Sequence, residues 1–271
     1  METLVAINDS IWTPMAYFAL AVGLFFTILT GAIQFRRLPD TLREIVRKKD
    51  SPDGISPLQA LLLTIASRVG VGNIAGVATA IAAGGPGALF WMVTCALLGS
   101  ASAYAETVLA QVFKRRINGE HRGGIPFYIE HGLKLKWLAV AVSIITMVGY
   151  GLLFPGVQSN NIAASFEGAF GTPVWVTAIG ITILLGFVIV GGTKRIVGAA
   201  QLMVPVMAVG YILAALIILV MNWQEIIPAF SLILSSAFGL HQIFGGIAGA
   251  AIAWGVRRAV FSNVAGVGEG T

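Results

Sequence analysis

Asn73 stands among Gly70, Gly72 and Gly76 in SRVGVGNIAGVATAIAAGGPGA, near the middle of an apolar run over 57–82. Glycine costs about 1 kcal/mol against alanine inside a helix, and non-helical backbone at membrane depth persists only where it lines a cavity or is packed in protein. The run is a candidate unwound helix. Such a break leaves N–H groups of one half and C=O groups of the other without helical partners, the first suited to a carboxylate and the second to a cation. A tightly packed helix pair built on small residues satisfies the same pattern. Two charges interrupt the apolar background nearby. Arg68 lies about 11 residues into its run and Glu106 about 8 residues from the end of the next, so at 1.5 Å per residue both sit ~12–17 Å deep. Ionisable groups at that depth default to a functional reading. A neutralising structural pair near an inner gate is the reading preferred here over direct contact with a substrate.

A second polar cluster, Gln158, Ser159, Asn160 and Asn161, follows Pro155-Gly156 in another apolar run. Proline frees a carbonyl and kinks a helix, and Gln158 and Asn161, three apart, share a helix face. That face either points at a central cavity or marks the outer end of the helix. The last run, GGIAGAAIAWGVRRAVFSNVAGVGEGT, repeats the device of glycines, positive charge and an asparagine, Asn263. It reads either as an internal repeat, as in inverted-repeat transporters, or as a normal helix that Arg257 and Arg258 cap. No membrane-embedded His/Glu cluster, Ser/Lys or Ser/His pair or aspartate dyad is present in the sequence, so an enzyme is not expected. His121 and His131 lie in a basic segment and His241 near a surface, where solvated histidines are the rule.

These residues need helices in a membrane to position them. Of the 271 residues 57% are hydrophobic and 11% charged, against roughly 25% charged in soluble domains, and the mean hydropathy is +0.87. Apolar runs near 15–34, 57–82, 87–113, 137–165, 173–191 and 197–221 are long enough to span. A Gly/Ala-rich run from about 240 reaches the C-terminus unfinished. Setting aside Arg68, Arg257 and Arg258 from the 17 Lys and Arg leaves 14, of which six fall in 35–56, six in 114–136 and two in 192–196. The alternate segments hold none. Cytoplasmic segments are enriched in Lys and Arg, which predicts an external N-terminus, Arg47 inside, Asp9 outside and 222–239 as an external connection. The blocks sit between spans rather than along one solvated face, which argues against nucleic acid despite the net charge of +5. Cys95, the one cysteine, lies in an apolar run and offers no disulfide or metal cluster. METLVAINDSIWTP lacks the positive start and small-residue site of a cleaved signal. Trp12, Trp137, Trp175 and Trp223 fall at run ends and read as interface anchors.

RVGVGNIAGVATAIAAGGPGALFWM (68–92), VQSN (157–160) and GVRRAVFSN with the AG after it (255–266) resemble the signature blocks of the alanine or glycine:cation symporters, and the likeness covers nearly the whole chain. The resemblance implies an all-α integral membrane protein with a leucine-transporter-like, APC-type inverted-repeat bundle. The helix at 15–34 would be an added one, 57–221 the first five-helix repeat, and 240–271 the start of a second, incomplete repeat, all within one transmembrane domain, 1–271. It implies sodium-coupled import of alanine or glycine across the cell membrane, with Na⁺ as coupling ion and the amino acid and lipid bilayer as partners. Carried over by position, Gly70, Val71, Gly72 and Asn73 would hold the substrate carboxylate, Gln158 would contact substrate and Phe261 would wall its side chain. Carbonyls of Ala66 and Val69, with the Asn73 side-chain oxygen, would face sodium, a hard cation that favours oxygen. Val264 stands where the family has Glu, and GEGT departs from the small residues expected there. On that basis the chain is expected to be an N-terminal portion, as a non-transporting remnant or beside a separate C-terminal half. Alanine, glycine and serine, and Na⁺ and H⁺, are not distinguished.

Overall fold

The computed structural model describes residues 2–46, 56–117, 120–239 and 245–264. Arg47 and His241 therefore lie outside the described residues. Helix α1 (Glu2–Leu29) is followed by the short α2 (Ile33–Arg36) and α3 (Leu38–Val46), then α4 (Pro57–Arg68). Ser56 starts α4 with a reciprocal cap: its hydroxyl accepts from Gln59 N at 3.3 Å while Gln59 Oε1 accepts from Ser56 N at 2.9 Å, and Pro57 fills the first helical position. Beyond Arg68 the backbone extends at Val69 (φ −92°, ψ 109°), and one π-turn, Gly72–Gly76, leads into α5 (Val77–Gly84) and then α6 (Gly87–Val112).

A hairpin of β1 (Arg115–Ile117) and β2 (Glu120–Arg122) and helix α7 (Ile125–Gly132) connect α6 to α8 (Lys136–Val148). Helix α8 passes through a second π-turn, Gly149–Leu153, into α9 (Phe154–Phe170). Pro155 has no N–H to close the turn before it, which is the physical cause of that widening. Then come α10 (Val174–Val190), α11 (Gly192–Met221), a tight turn at Trp223–Glu225, α12 (Ile226–Ala237) and α13 (Gly245–Asn263).

Among the described residues, Ser10–Leu29, Gly87–Val112, Lys136–Phe170 and Lys194–Met221 are long and apolar enough to cross a membrane. The halves Pro57–Arg68 and Gly72–Gly84, bent by 56°, make one further span when taken together, and Val174–Val190 is a shorter apolar helix. Side chains such as Phe187, Val190 and Leu202 stand exposed on these helices, an arrangement that suits lipid rather than water.

The core is built of small residues. Ala16 and Ala19 of α1, Ala80 of α5, Ala88, Met92 and Cys95 of α6, and Val256, Ala259 and Val260 of α13 form one buried cluster. Without a hydrophobic drive between helices in lipid, close backbone approach supplies the packing energy. A Cβ at Gly255 would lie 2.6 Å from the Ala88 carbonyl oxygen, so α13 crosses α6 at this distance only with glycine there.

Three expectations change. Helix α1 begins far upstream of residue 15, with Pro14 inside it, and Trp12 packs, partly buried, against the core. Trp137, Trp175 and Trp223 are exposed. Segment 222–239 is largely helix, because IIPAFSLILSSA is apolar enough to pack on α6, where Trp91 Nε1 donates to the Ala237 carbonyl at 3.2 Å. The final run is continuous through Arg257 and Arg258. Its helix stops only after Asn263, where Val264 takes a left-handed φ of 51°.

Candidate functional site

The break between α4 and the π-turn opens onto a cavity of about 400 Å³. Residues 66–70 and Gly72 form one wall, Tyr150, Phe154, Pro155 and Gln158 a second, and Phe261, Ser262 and Val264 at the end of α13 a third. The structure thus brings together three segments separated by more than 75 residues each in sequence, the three singled out by their polar or glycine content.

The hydrogen bonds at the break explain its shape. Gly70 N donates to Asn73 Oδ1 at 3.0 Å, Val71 N donates to Gln158 Oε1 at 3.2 Å, and Asn73 N donates to the Gly70 carbonyl at 3.0 Å. In an unbroken helix those three N–H groups would close onto the carbonyls of Ala66, Ser67 and Val69. Their diversion releases these carbonyls from their usual helical donors, and all three residues line the cavity. Asn73 Oδ1 accepts one bond and, as an amide oxygen, has a second lone pair. The oxygens that could meet a cation are therefore of a chemically consistent kind.

The glycines do different jobs. A Cβ at Gly70 would touch the Gln158 amide, 3.1 Å from Nε2, so this position faces the cavity. A Cβ at Gly72 would lie 3.0 Å from Ser262 Cα and 3.1 Å from Phe261 Cδ1, so Gly72 is buried against the backbone of α13. A Cβ at Gly76 would meet nothing within 4 Å. Close packing and cavity lining, which sequence left as alternatives, both occur two residues apart.

An aromatic column lines the cavity. Tyr150 and Phe154 stack at 5.0 Å, and Phe154 stacks on Phe261 at 6.0 Å with the rings 15° apart. Sequence reading passed over Tyr150 and Phe154. The signal was present: Tyr150, Phe154 and Gln158 recur every four residues on one helix face. Of the polar cluster only Gln158 turns to the break. Asn161 Nδ2 donates back to the Val157 carbonyl at 2.9 Å and Ser159 Oγ to the Gly156 carbonyl at 3.2 Å.

Arg68 lines the cavity, whereas Glu106 lies on α6 towards Tyr128 of α7, whose phenol is pushed up by burial and, after that, by the Glu106 charge. Arg257 donates to Thr13 Oγ1 at 2.8 Å, tying α13 to α1, and the Arg257 and Arg258 guanidinium groups both lie 5.5 Å from the Trp254 ring.

A family profile described as the sodium:alanine symporter family matches residues 1–271. Over 266 residues the chain is 50% identical to the Bacillus subtilis protein named "Putative sodium/proton-dependent alanine carrier protein YrbD", covering 98% of this chain and 55% of that protein. It is 42% identical over 272 residues to the "Sodium/alanine symporter AgcS" of Methanococcus maripaludis, covering 97% and 60%. It is 40% identical over 275 residues to the Bacillus subtilis "Probable sodium/glutamine symporter GlnT", covering 99% and 57%. The chain spans little more than half the length of each of these relatives, all of which are named as transporters rather than enzymes.

Proposed function

Because this chain belongs to the sodium:alanine symporter family, we propose that the broken helix α4 forms part of a binding site for a small neutral amino acid, alanine or glycine, imported together with sodium. The observation that carries the reading is the diverted backbone at Gly70 and Val71, whose N–H groups rest on two side-chain amide oxygens beside a cavity. Gln158 Oε1 occupies the place of a substrate carboxylate oxygen. A carboxylate bonds an N–H more strongly than a neutral amide does, because the acceptor is charged, so an incoming amino acid displaces Gln158 from Val71. The freed amide oxygen then accepts from the ammonium group of the substrate.

Phe261, held by its stack on Phe154, walls the side-chain end and restricts it to a methyl or a hydrogen. Sodium is taken by the carbonyls of Ala66 and Val69 and by the remaining lone pair on Asn73 Oδ1. Its charge, one residue or two from the carboxylate, makes each ligand bind better in the presence of the other, and that reciprocity is the coupling. The same reading includes a leucine-transporter-like bundle, with α1 as the added helix and the N-terminus outside, in keeping with the distribution of Lys and Arg.

The test is uptake of radiolabelled alanine into proteoliposomes by this chain extended with the C-terminal portion of AgcS. An inward sodium gradient should drive accumulation, and unlabelled glycine should compete while glutamine does not. Uptake indifferent to sodium would sink the coupling. Competition by glutamine equal to that of alanine would sink the size limit set by Phe261.

A further inference from the structure

Helix α1 ends at Leu29 and the next span begins at Pro57, so the segment between them lies at one face of the membrane. Gly31 (φ 60°) and Ala32 (φ 53°) are both left-handed, and Ala32 N donates to the Thr27 carbonyl at 2.7 Å while Gly31 N donates to that of Ile28 at 3.1 Å. This is the bonding of a Schellman stop, and it turns the chain out of the course of α1. The two helices that follow have three distinct sides. Gln34 Nε2 donates to Thr27 Oγ1 at 3.1 Å and to the Leu97 carbonyl at 3.4 Å, and α3 packs on α4, which fixes a side facing the protein. Arg37, Asp40, Arg43 and Glu44 line a common cavity of about 500 Å³, with Arg37 Nη1 donating to Asp40 Oδ2 at 2.7 Å, which makes a charged side. Phe35, Leu38 and Leu42, spaced i, i+3 and i+7, make an apolar side. They are 57%, 52% and 56% exposed.

We propose that α2 and α3 lie along the membrane surface, with Phe35, Leu38 and Leu42 sunk into the boundary between headgroups and acyl chains and the charged side turned to water. A helix divided in this way between an apolar and a charged face rests in that layer, its apolar face about 5–10 Å deep. Lipid is the occupant that the surroundings fit. Phe25, Ile28 and Leu29, in the last turns of α1, are apolar and exposed, so the lipid-facing surface of the span runs on into Phe35 and Leu38. The stretch after α3, RKKDSPDGI over 47–55, is composed almost wholly of charged, small or turn-forming residues, which are poorly suited to cover three large apolar side chains. The assignment concerns the connection between α1 and α4 and does not depend on the site at Gly70.

Leu38→Cys, Leu42→Cys, Arg43→Cys and Glu44→Cys are each spin-labelled and reconstituted into vesicles of phosphatidylethanolamine and phosphatidylglycerol. Cys95 is buried, so the unsubstituted chain serves as the blank and should take up no label. Collision of each nitroxide with oxygen, which concentrates in acyl chains, is compared with collision with a water-soluble nickel chelate. The ratio of oxygen to nickel collision should be severalfold higher at 38 and 42 than at 43 and 44, and should place the first pair below the headgroups. Nickel access at 38 and 42 equal to that at 43 and 44 would put the apolar side in water and overturn the proposal. Exclusion of both reagents at 38 and 42 overturns it too, by showing a protein surface, such as a second copy of the chain, over that side. The same measurement in the chain extended with the C-terminal portion of AgcS should preserve the ranking; loss of oxygen access there assigns the cover to that portion instead and overturns the proposal. If a leucine variant does not fold, Phe35→Cys is read in its place against the same outcomes.

Discussion

Gly72 and Gly70 give paired substitutions with opposite expected consequences. An alanine Cβ at position 72 would sit 3.0 Å from Ser262 Cα and 3.1 Å from Phe261 Cδ1. Carbon atoms meet comfortably at about 3.5–4.0 Å, so α13 must retreat by roughly 0.5 Å or more, and its backbone cannot rotate away as a side chain can. Overpacking of this kind costs about 1–3 kcal/mol. At position 70 the nearest atoms are the Gln158 amide, 3.1 and 3.3 Å away, the flexible end of a long side chain. Moving it forfeits the Val71 to Gln158 hydrogen bond, about 1 kcal/mol net. Gly72→Ala should therefore lower the thermal midpoint of the purified chain clearly more than Gly70→Ala, and Gly72→Val more again. In the extended protein Gly70→Ala should weaken alanine binding out of proportion to its small effect on stability, because the added methyl enters the cavity. The reasoning is refuted if Gly72→Ala leaves the midpoint unchanged, or if Gly70→Ala is the more destabilising of the two.

Asn73→Ala removes one oxygen from the cation position and leaves the Gly70 N–H without its acceptor. It should raise the sodium concentration needed for half-maximal uptake and lower stability by about 1 kcal/mol; unaltered sodium dependence would rule out the cation position. Gln158→Glu places a carboxylate on the Val71 N–H, where it competes with the substrate's own, so alanine affinity should fall further than in Gln158→Ala, as measured by equilibrium binding of labelled alanine. Val264→Asn should raise the thermal midpoint, since asparagine tolerates the left-handed backbone found there and a β-branched residue does not. A cysteine at 115 should be shielded from an impermeant thiol reagent in intact cells while one at 223 is labelled; the reverse pattern would invert the topology deduced from the Lys and Arg distribution.

The spans were legible because apolar length is set by bilayer thickness and survives any detail of packing. Where a span is polar or proline-bearing at one end, that rule under-reads it: Asp9, Ser10 and Pro14 hid the N-terminal part of α1 before residue 15, more than three turns. In 222–239, Asn222, Glu225 and Pro228 made a helix look like a connection, although IIPAFSLILSSA packs on α6. The hairpin at 115–122 went unread because neither strand exceeds three residues, too few for alternation to register. The break at 68–76 was legible in kind, since clustered glycine beside an amide is costly in a helix. Its division of labour was not, since what separates Gly70 from Gly72 is which segment lies opposite, and that is tertiary.

Gln158 shows what such tertiary information adds. In sequence it is one of four consecutive polar residues, each able to satisfy itself on its own helix, and Ser159 and Asn161 do so. Gln158 has a side chain one methylene longer than asparagine and sits four residues from Phe154, on the face that meets Phe261. That reach lets its oxygen leave its own helix and rest on Val71 N across the cavity. A resident acceptor there keeps a membrane-embedded N–H satisfied when no ligand is present, at the cost of a bond the ligand must displace. The exchange favours a charged acceptor over a neutral one, so under the proposed function the same hydrogen bond would also select for a carboxylate.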